Sequence, residues 1–330
     1  KACILHAMNE FVSRKELATM LKSPILAEEL SLSHGCYYVV VDPNSQGDWE
    51  ELPFQSRCPI IALENGSPIP PEAPIDLSCD ASRLDDILEA ITAQPEASAV
   101  ACQVLRANES SNINQGLVLE SLAYSTLLES RGFQDWLLKR KIGENHQNQS
   151  ANVIIDREGN SLHITLDRPD QHNAYSEELK DEFCSALHLA LHDSSITKVI
   201  ITGKGRSFCS GGDLNEFGSV KDPANAHLSR TPRSAGSLLA KLTDKTHFKV
   251  HGACIGAGIE LTAFSNQITA HQNSFFQLPE VGMGLIPGAG GTVSINKRIG
   301  RRRAAFMALS GTRIDSETAL KWGLIDELLT

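Results

Sequence analysis

Short apolar runs separated by polar turns predict an α/β arrangement for the first part of the chain. The runs at residues 37–41 and 59–63 predict short buried strands. Residues 16–21 predict at least one helical turn, and the proline-rich residues 68–74 predict a loop. Because strands alternate with helices, we expect a small α/β segment over residues 1–83.

Helical spacing dominates the next part of the chain. Apolar residues recur on one helix face at residues 84–91, on a second at residues 117–127 and on a third at residues 133–137. The pattern predicts a helical segment over residues 84–143. The polar residues 144–151 predict a linker to the rest of the chain.

From residue 152 to residue 330 the pattern alternates between strands and helices. It predicts a hairpin of strands 153–156 and 162–166, a helix over 177–192 with Ser176 as its N-cap, a strand over 198–202, a helix beginning at Asp213, a helix over 234–243 and a strand around Phe248 and Val250. Between these elements the polar residues 219–233 predict a mobile loop.

Composition is typical of a soluble globular protein. The 330 residues are 41% hydrophobic and 21% charged, enough for one large or two modest domains. No apolar run approaches the roughly 20 residues of a spanning helix, so no membrane partner is expected, and the first residues lack a secretory leader pattern.

The eight cysteines form no Cys-x-x-Cys pair and none lies at metal-binding spacing from a His. We therefore expect reduced thiols, no metal site and a cytoplasmic location.

The charge distribution limits the choice of partners. A net charge of −10 argues against nucleic acid, because phosphate backbones require clustered Lys and Arg. The one dense basic cluster comprises Lys297, Arg298 and residues 301–303. A solvated helix face is the favoured interpretation, and a contact to cofactor phosphates or a neighbouring subunit is the alternative.

Two glutamates accompany glycine-rich turns between residues 247 and 292. An apolar strand breaks at Gly252, and small residues then precede a helical pattern that contains Glu260 in its first turn. The first amide N–H groups of such a helix lack partners and bind negative charge. Glu280 follows in a Pro-Glu loop before a second glycine-rich turn. The pair indicates acid/base chemistry beside an anion site, although a first-turn Glu is also favoured by the helix dipole and a lone loop Glu is usually solvated.

A second potential source of backbone donors lies at residues 206–216. There Gly211 and Gly212 follow the predicted strand 198–202 and expose their amides. Cys209 in the same segment is not expected to be a nucleophile, because no His lies at a spacing that identifies a base.

Three segments in this order resemble the crotonase (enoyl-CoA hydratase/isomerase) superfamily. They are Phe-Cys-Ser-Gly-Gly-Asp-Leu at residues 208–214, Gly-Ala-Cys-Ile-Gly-Ala-Gly-Ile-Glu-Leu at 252–261 and Leu-Pro-Glu-Val-Gly-Met-Gly-Leu-Ile-Pro-Gly-Ala-Gly-Gly-Thr at 278–292. The resemblance implies an α/β fold with a crotonase-like (ββα)n superhelix as the catalytic core over residues 152–330. Residues 1–83 resemble a degenerate copy of core segments, without the glycine turns or the glutamates.

The helical segment 84–143 resembles the helices that normally close a crotonase chain at its C-terminus. In this chain the core reaches its last residue, Thr330, before those helices would follow. We therefore expect the order of parts to be shifted, with the helical segment replacing the usual closing helices. The alternative is an unrelated N-terminal helical domain.

The resemblance also assigns roles to site residues. It implies that the backbone N–H groups of Gly212 and Ala257 form an oxyanion hole for a thioester, with Ala257 replacing the glycine common in the family. It implies that Glu260 is the ionised base and Glu280 the protonated acid, with a water between them. The implied substrate or coenzyme A contacts are Arg168, Asn173, Ala174, Ser210, Gly211, Asp213, Leu214, Gly256, Gly258, Pro287 and Gly288. For Asn173, a role in fixing its own turn is an equal alternative.

The implied function is that of an enoyl-CoA hydratase, a hydro-lyase that adds water reversibly to a 2-enoyl-CoA. It would need no permanent cofactor, because coenzyme A is part of the acyl-CoA substrate, and a homo-oligomer, a trimer or hexamer, is expected. One alternative is an enoyl-CoA isomerase that uses a single glutamate. The other is a non-catalytic crotonase-like subunit that serves assembly.

Overall fold

A computed structural model of the protein describes residues 11–42, 44–45, 49, 56–64, 66, 68–140, 152–220 and 222–329. The predicted linker, residues 144–151, lies outside these ranges. The helices are α1 (Arg14–Lys22), α2 (Pro24–Glu29), α3 (Ala81–Ala93), α4 (Pro95–Ser110), α5 (Ile113–Leu127), α6 (Arg131–Lys139), α7 (Glu177–His192), α8 (Pro223–Arg230), α9 (Ala235–Lys241), α10 (Ala257–Thr262), α11 (Gly291–Ile299), α12 (Arg301–Ser310) and α13 (Ser316–Trp322). The strands are β1 (Val12–Ser13), β2 (Val39–Asp42), β3 (Ile60–Leu63), β4 (Leu77–Cys79), β5 (Val153–Glu158), β6 (Ser161–Leu166), β7 (Lys198–Gly203), β8 (Thr246–Val250), β9 (Ala253–Ile255), β10 (Gln267–His271), β11 (Phe275–Gln277), β12 (Ile314–Asp315) and β13 (Glu327–Leu329).

Strands β1 to β4 form a parallel sheet in the order β1-β2-β3-β4. Successive side chains of a strand point to opposite faces. Val39 and Val41 therefore pack into a small core that also contains Leu17 of α1, whereas Val40 and Ile61 join the main core of the molecule. Burial of both faces is typical of a parallel sheet. The strands and the helix predicted in this part are confirmed.

In its described part, up to residue 140, the helical segment contains four helices, α3 to α6, where the sequence pattern predicted three. Helix α4 was missed because its buried face is built largely from small residues, including Ala97 and Ala101, which give a weak hydrophobic pattern. Pro95 opens this helix at a position where its missing N–H costs nothing.

The core contains a six-stranded sheet in the order β13-β10-β8-β7-β6-β5 and a small sheet β12-β11-β9. The predicted hairpin β5-β6 is antiparallel, and the other neighbours in the large sheet pair in parallel. Helix α7 is confirmed, and its N-cap Ser176 accepts a hydrogen bond from the Leu179 amide at 3.2 Å. No helix in the described ranges is long and apolar enough to cross a bilayer.

Two local predictions in the core are wrong. Asp213 does not begin a helix, because residues 214–218 form turns and the Asp213 carboxylate pairs with Arg168 at 3.2 Å. The predicted mobile loop 219–233 contains helix α8, whose N-cap Asp222 accepts a hydrogen bond from the Ala224 amide at 2.9 Å. Helix α8 packs against α5, which gives this polar stretch a partner.

The helical segment packs directly on the core. Helix α4 contacts α11 and α12, and α5 contacts α8, α9 and α11. The Asn108 side chain donates to the Thr292 hydroxyl at 3.0 Å, and the Asn296 side chain donates to the Leu105 carbonyl at 2.9 Å. These contacts place α4 and α5 against the core. The domain boundaries themselves stay predictions.

The basic cluster after residue 296 is only partly a solvated helix face, because Lys297 and Arg303 are exposed whereas Arg301 and Arg302 contact the N-terminal segment. Arg301 is buried and donates to the carbonyl oxygen of Ile75 at 2.5 Å and to the Asp76 carboxylate at 3.4 Å. Arg106 of α4 also pairs with Asp76, and Arg302 donates to the carbonyl of Ile69 at 3.0 Å. For Arg301 and Arg302 the prediction was wrong, because they donate to carbonyl and carboxylate groups of residues 69–76, which are far from them in the sequence.

Candidate active site

Two glycine loops run side by side and in register. The Cys209 amide donates to the Ala253 carbonyl at 3.1 Å, and the Ile255 amide donates to the Cys209 carbonyl at 3.0 Å, so Cys209 and Cys254 pair as a parallel bridge. Three residues beyond this bridge the two segments reach Gly212 and Ala257. Both residues line one cavity of about 550 Å³.

The amides of Gly212 and Ala257 donate to no acceptor among the described residues. Unpaired amides that face a cavity are suited to bind an oxyanion. Glycine is required beside each of them. Gly211 has φ 95° and Gly256 has φ 49°, and a Cβ on Gly256 would overlap the Oε1 atom of Glu280.

Glu260 lies in the first turn of α10 and is only 2% exposed. Its Oε2 accepts hydrogen bonds from the amides of Ala289 at 2.7 Å and Gly291 at 2.9 Å. Burial raises the pKa of Glu260 to about 7, while these two amides and the Arg230 cation act in the opposite direction. The carboxylate form of Glu260 is therefore the one with dedicated hydrogen-bond donors.

Glu280 has the opposite surroundings. It is 8% exposed, lies just beyond β11, and its Oε2 has no hydrogen-bond partner among the described residues. Burial and then the charge of Glu260 raise the pKa of Glu280 well above its ordinary value. The unpartnered oxygen favours the protonated form of Glu280, whereas the amide donors favour the charged form of Glu260.

A third buried glutamate, Glu120 of α5, lines the same cavity and was not predicted as a site residue. Its Oε1 accepts from the Gly290 amide at 2.7 Å, and its Oε2 accepts from the Thr292 amide at 2.9 Å and the Thr292 hydroxyl at 2.6 Å. Burial and then the charge of Glu260 raise the pKa of Glu120 to about 8. The sequence carried a signal for it, since an acidic residue interrupts the apolar face predicted between Leu117 and Leu127.

Arg230 at the end of α8 was also missed. Its guanidinium carbon lies 3.8 Å from the ring centroid of Tyr124, and its Nη2 donates to the Gly288 carbonyl at 2.7 Å. Burial raises the pKa of the Tyr124 hydroxyl, and Arg230 opposes this shift. The cavity wall thus carries a cation that interacts with Glu260.

Two predicted coenzyme A contacts have side chains that bond within their own loop and to the glycine loop at residues 206–216. Asn173 is 0% exposed, accepts from the Arg168 amide at 2.8 Å and donates to the Phe208 carbonyl at 3.0 Å. Arg168 donates to the Ala174 carbonyl at 2.6 Å and pairs with Asp213. This geometry matches the alternative for Asn173, in which it fixes its own turn.

The structure brings six predicted site residues to the cavity. These are Gly212, Asp213, Ala257, Glu260, Glu280 and Gly288. The cavity lining does not include Arg168, Asn173, Ala174, Ser210, Gly211, Leu214, Gly256, Gly258 or Pro287. Cys209 is buried behind the loop, and burial raises the pKa of its thiol to about 12. In the described part of the chain no cluster of His, Cys, Asp or Glu is suited to hold a metal ion.

Comparison with known proteins identifies relatives of the core. Residues 156–330 match the profile of the enoyl-CoA hydratase/isomerase family. A 2,3-dehydroadipyl-CoA hydratase of Escherichia coli (strain K12) is 35% identical over 178 residues, which cover 54% of this chain and 69% of the relative. A 1,2-epoxyphenylacetyl-CoA isomerase of the same strain is 31% identical over 178 residues, which cover 52% of this chain and 68% of the relative.

A solved structure shows the same fold. The enoyl-CoA hydratase from Shewanella pealeana ATCC 700345 aligns with a TM-score of 0.51 at 27% identity, over 55% of this chain and 69% of that chain. Among similar curated proteins, the matched segment spans from 62% to 71% of the relative's length.

Proposed function

The chain belongs to the enoyl-CoA hydratase/isomerase family, and from this premise we propose that it adds water reversibly across the double bond of a 2-enoyl-CoA thioester. Membership confirms the crotonase resemblance and the crotonase-like fold of the core. One observation carries the specific reaction. Two buried carboxyl groups share a cavity with two free amides. They have unlike surroundings, because Glu260 has two amide donors and Glu280 has an unpartnered oxygen.

The two free amides are suited to polarise the thioester. The N–H groups of Gly212 and Ala257 would donate to the thioester oxygen, which gathers negative charge as the enolate forms. Each such donor typically contributes about 3 to 4 kcal/mol to the stabilisation of the transition state. The apolar side chains that line the cavity would accommodate the acyl chain, and they include Leu117, Val118, Leu128, Phe133, Phe217 and Leu261.

The two glutamates would move the protons. Ionised Glu260 takes a proton from water, the water oxygen bonds to the β carbon, and the electron pair of the double bond moves to the thioester oxygen. Protonated Glu280 then donates its proton to the α carbon as the enolate collapses to the thioester. The reverse sequence dehydrates the 3-hydroxyacyl-CoA with the same groups. General acid and base steps of this kind typically contribute about 10²- to 10⁴-fold each.

An enoyl-CoA isomerase is the second candidate, because the matching family profile covers both enoyl-CoA hydratases and isomerases. An isomerase needs one group to move one proton between two carbons and does not incorporate water. The presence of a second buried carboxyl group in the same cavity favours the hydratase.

Turnover of 2-enoyl-CoA thioesters of several chain lengths tests the proposal. We expect loss of the enoyl absorbance with the wild-type protein. Glu280→Gln should lower kcat about 10²- to 10⁴-fold with KM nearly unchanged, because the amide cannot supply the proton but fills the same volume. Glu317→Gln, an exposed carboxyl of α13, serves as the matched control.

Unchanged turnover in Glu280→Gln would remove Glu280 from the mechanism. A wild-type protein that turns over none of these thioesters would instead favour the non-catalytic assembly subunit.

A further inference from the structure

Four consecutive amides at the start of α11 alternate between two glutamates. The amides of Ala289 and Gly291 donate to Glu260, whereas those of Gly290 and Thr292 donate to Glu120. Glu260 belongs to the core and Glu120 to the helical segment that precedes it. The turn at residues 289–292 is therefore held from both sides by carboxyl groups of different segments.

Both oxygens of Glu120 are occupied by this turn. Oε1 receives one donor and Oε2 receives two, counting the Thr292 hydroxyl. Glu120 consequently has little capacity left to move a proton for a substrate. Its contacts instead determine where the backbone of the turn lies.

The turn packs closely against Glu260 and contains glycines that allow its peptides more than one orientation. A Cβ on Gly291 would lie 2.6 Å from the Cγ atom of Glu260, and Gly290 has φ 110°. If the donors to Glu120 lose their acceptor, the peptides of the turn can rotate. The neighbouring amides, which alternate with them, then leave Glu260.

We propose that Glu120 is a positioning residue, which by holding the amides of Gly290 and Thr292 keeps those of Ala289 and Gly291 aimed at Glu260. The role of Glu260 as the base rests on the proposed function, but the contacts of Glu120 do not. The helical segment thereby completes the catalytic centre of the core.

The groups around Glu260 determine in which direction its pKa should change when Glu120 is substituted. The charged and titratable groups that face it are Glu120 and Tyr124 of α5, Arg230 of α8, Glu280, Tyr175 and Cys209. Among the influences that lower the pKa of Glu260, the Ala289 and Gly291 amides exceed Arg230. Loss of these amides would remove the two largest influences that lower the pKa of Glu260, and the Glu120 charge is not among the main influences on it, so this pKa should rise.

A titration of the full chain followed by NMR of ¹³C-labelled glutamate carboxyl groups tests the proposal without any substrate. The Glu260 signal is assigned from its absence in Glu260→Gln. In Glu120→Ala we expect the pKa of Glu260 to rise by about one pH unit. Glu120→Gln keeps the side-chain volume and one acceptor, so it should raise the pKa of Glu260 by a smaller amount. This variant keeps the test valid if Glu120→Ala fails to fold.

Glu129→Gln is the matched control, since Glu129 is an exposed carboxyl of the same helical segment and does not line the cavity. It should leave the pKa of Glu260 unchanged. A fall in that pKa in both Glu120 variants would mean that Glu120 acts only through its charge. No change, with lower thermal stability alone, would mean that Glu120 serves only the fold. Either result overturns the proposal.

Kinetics supply a second readout. Because Glu120 has no free oxygen for the substrate, Glu120→Gln should lower kcat by about 100-fold through misplacement of Glu260, while KM changes less than about twofold. The acid limb of the pH profile should move to higher pH. If the wild-type protein hydrates no thioester, the proposed function fails, whereas the NMR titration still decides the role of Glu120.

Discussion

At the residue scale, the three buried glutamates differ in what compensates their burial. Glu120 accepts three hydrogen bonds and Glu260 accepts two, while one oxygen of Glu280 accepts none from the described residues. A buried carboxylate without donors is costly, so the unpartnered oxygen of Glu280 favours its protonated form. The charged form of Glu260 has its own amide donors, and this difference supports the proposed roles of acid and base.

Glu280 should make the stability of the protein depend on pH. An unfolded Glu releases its proton near pH 4.5, whereas folded Glu280 keeps its proton to a much higher pH. The folded state therefore binds the extra proton, and the stability that Glu280 contributes is fully present below about pH 4.5 and is lost as pH rises. The maximal slope is about 1.4 kcal/mol per pH unit.

Glu280→Gln removes this dependence, because the amide stays neutral. Relative to wild type, the variant should become progressively more stable between about pH 5 and pH 7, as measured by denaturant unfolding at several pH values. A difference in the free energy of unfolding that does not vary with pH would contradict the assignment of a raised pKa to Glu280.

Glu260 and Glu280 could be identified from the sequence because each lies beside its own glycine-rich turn. Glu120 and Arg230 could not be assigned in this way. The contact between Glu120 and Gly290 spans 170 positions in the sequence, and Arg230 lies in a stretch whose polar composition indicated a loop. Their roles depend on segments that meet only in the folded chain.

At the element scale, the site depends on two loops that are aligned by one short bridge. The pairing of Cys209 with Cys254 sets the register, and the chain then continues into the donor positions 212 and 257. Gly256 in the second loop approaches Glu280 so closely that a side chain would displace the acid.

Gly256→Ala and Gly282→Ala form a matched pair that tests this packing. Gly256 has φ 49° and no room for a Cβ, so the substitution should lower kcat by about 100-fold through displacement of Glu280. At Gly282 a Cβ would meet nothing within 4 Å, and turnover should stay close to wild type. Equal activities for the two variants in the same turnover assay would show that Glu280 does not need its position against Gly256.

Elements with strong periodicity were predicted well, and elements without it were not. Helix α7 and the hairpin β5-β6 carry clear patterns and appear at the expected places. Helix α8 buries only Ala226, and its one leucine, Leu228, is exposed. Its stability therefore comes from the Asp222 cap and from packing on α5, and neither is visible in the hydrophobic pattern.

At the scale of the whole molecule, the N-terminal segments and the core share one hydrophobic core. Buried residues from β2, α4 and the core belong to a single cluster, and Asp76 is paired with both Arg106 and Arg301. Removal of one partner from such a buried group is strongly destabilising, so these ion pairs hold the segments in one arrangement. The shifted order of parts and the homo-oligomer stay predictions.

Incubation of a 2-enoyl-CoA in heavy-oxygen water, followed by mass spectrometry of the thioester, tests the central claim most directly. With the wild-type protein, one heavy oxygen should appear on the β carbon of a 3-hydroxyacyl-CoA, and Glu280→Gln should slow its appearance in proportion to its loss of turnover. A thioester whose double bond has moved without gain of oxygen, or which returns unchanged, would contradict the assignment of this cavity to hydration.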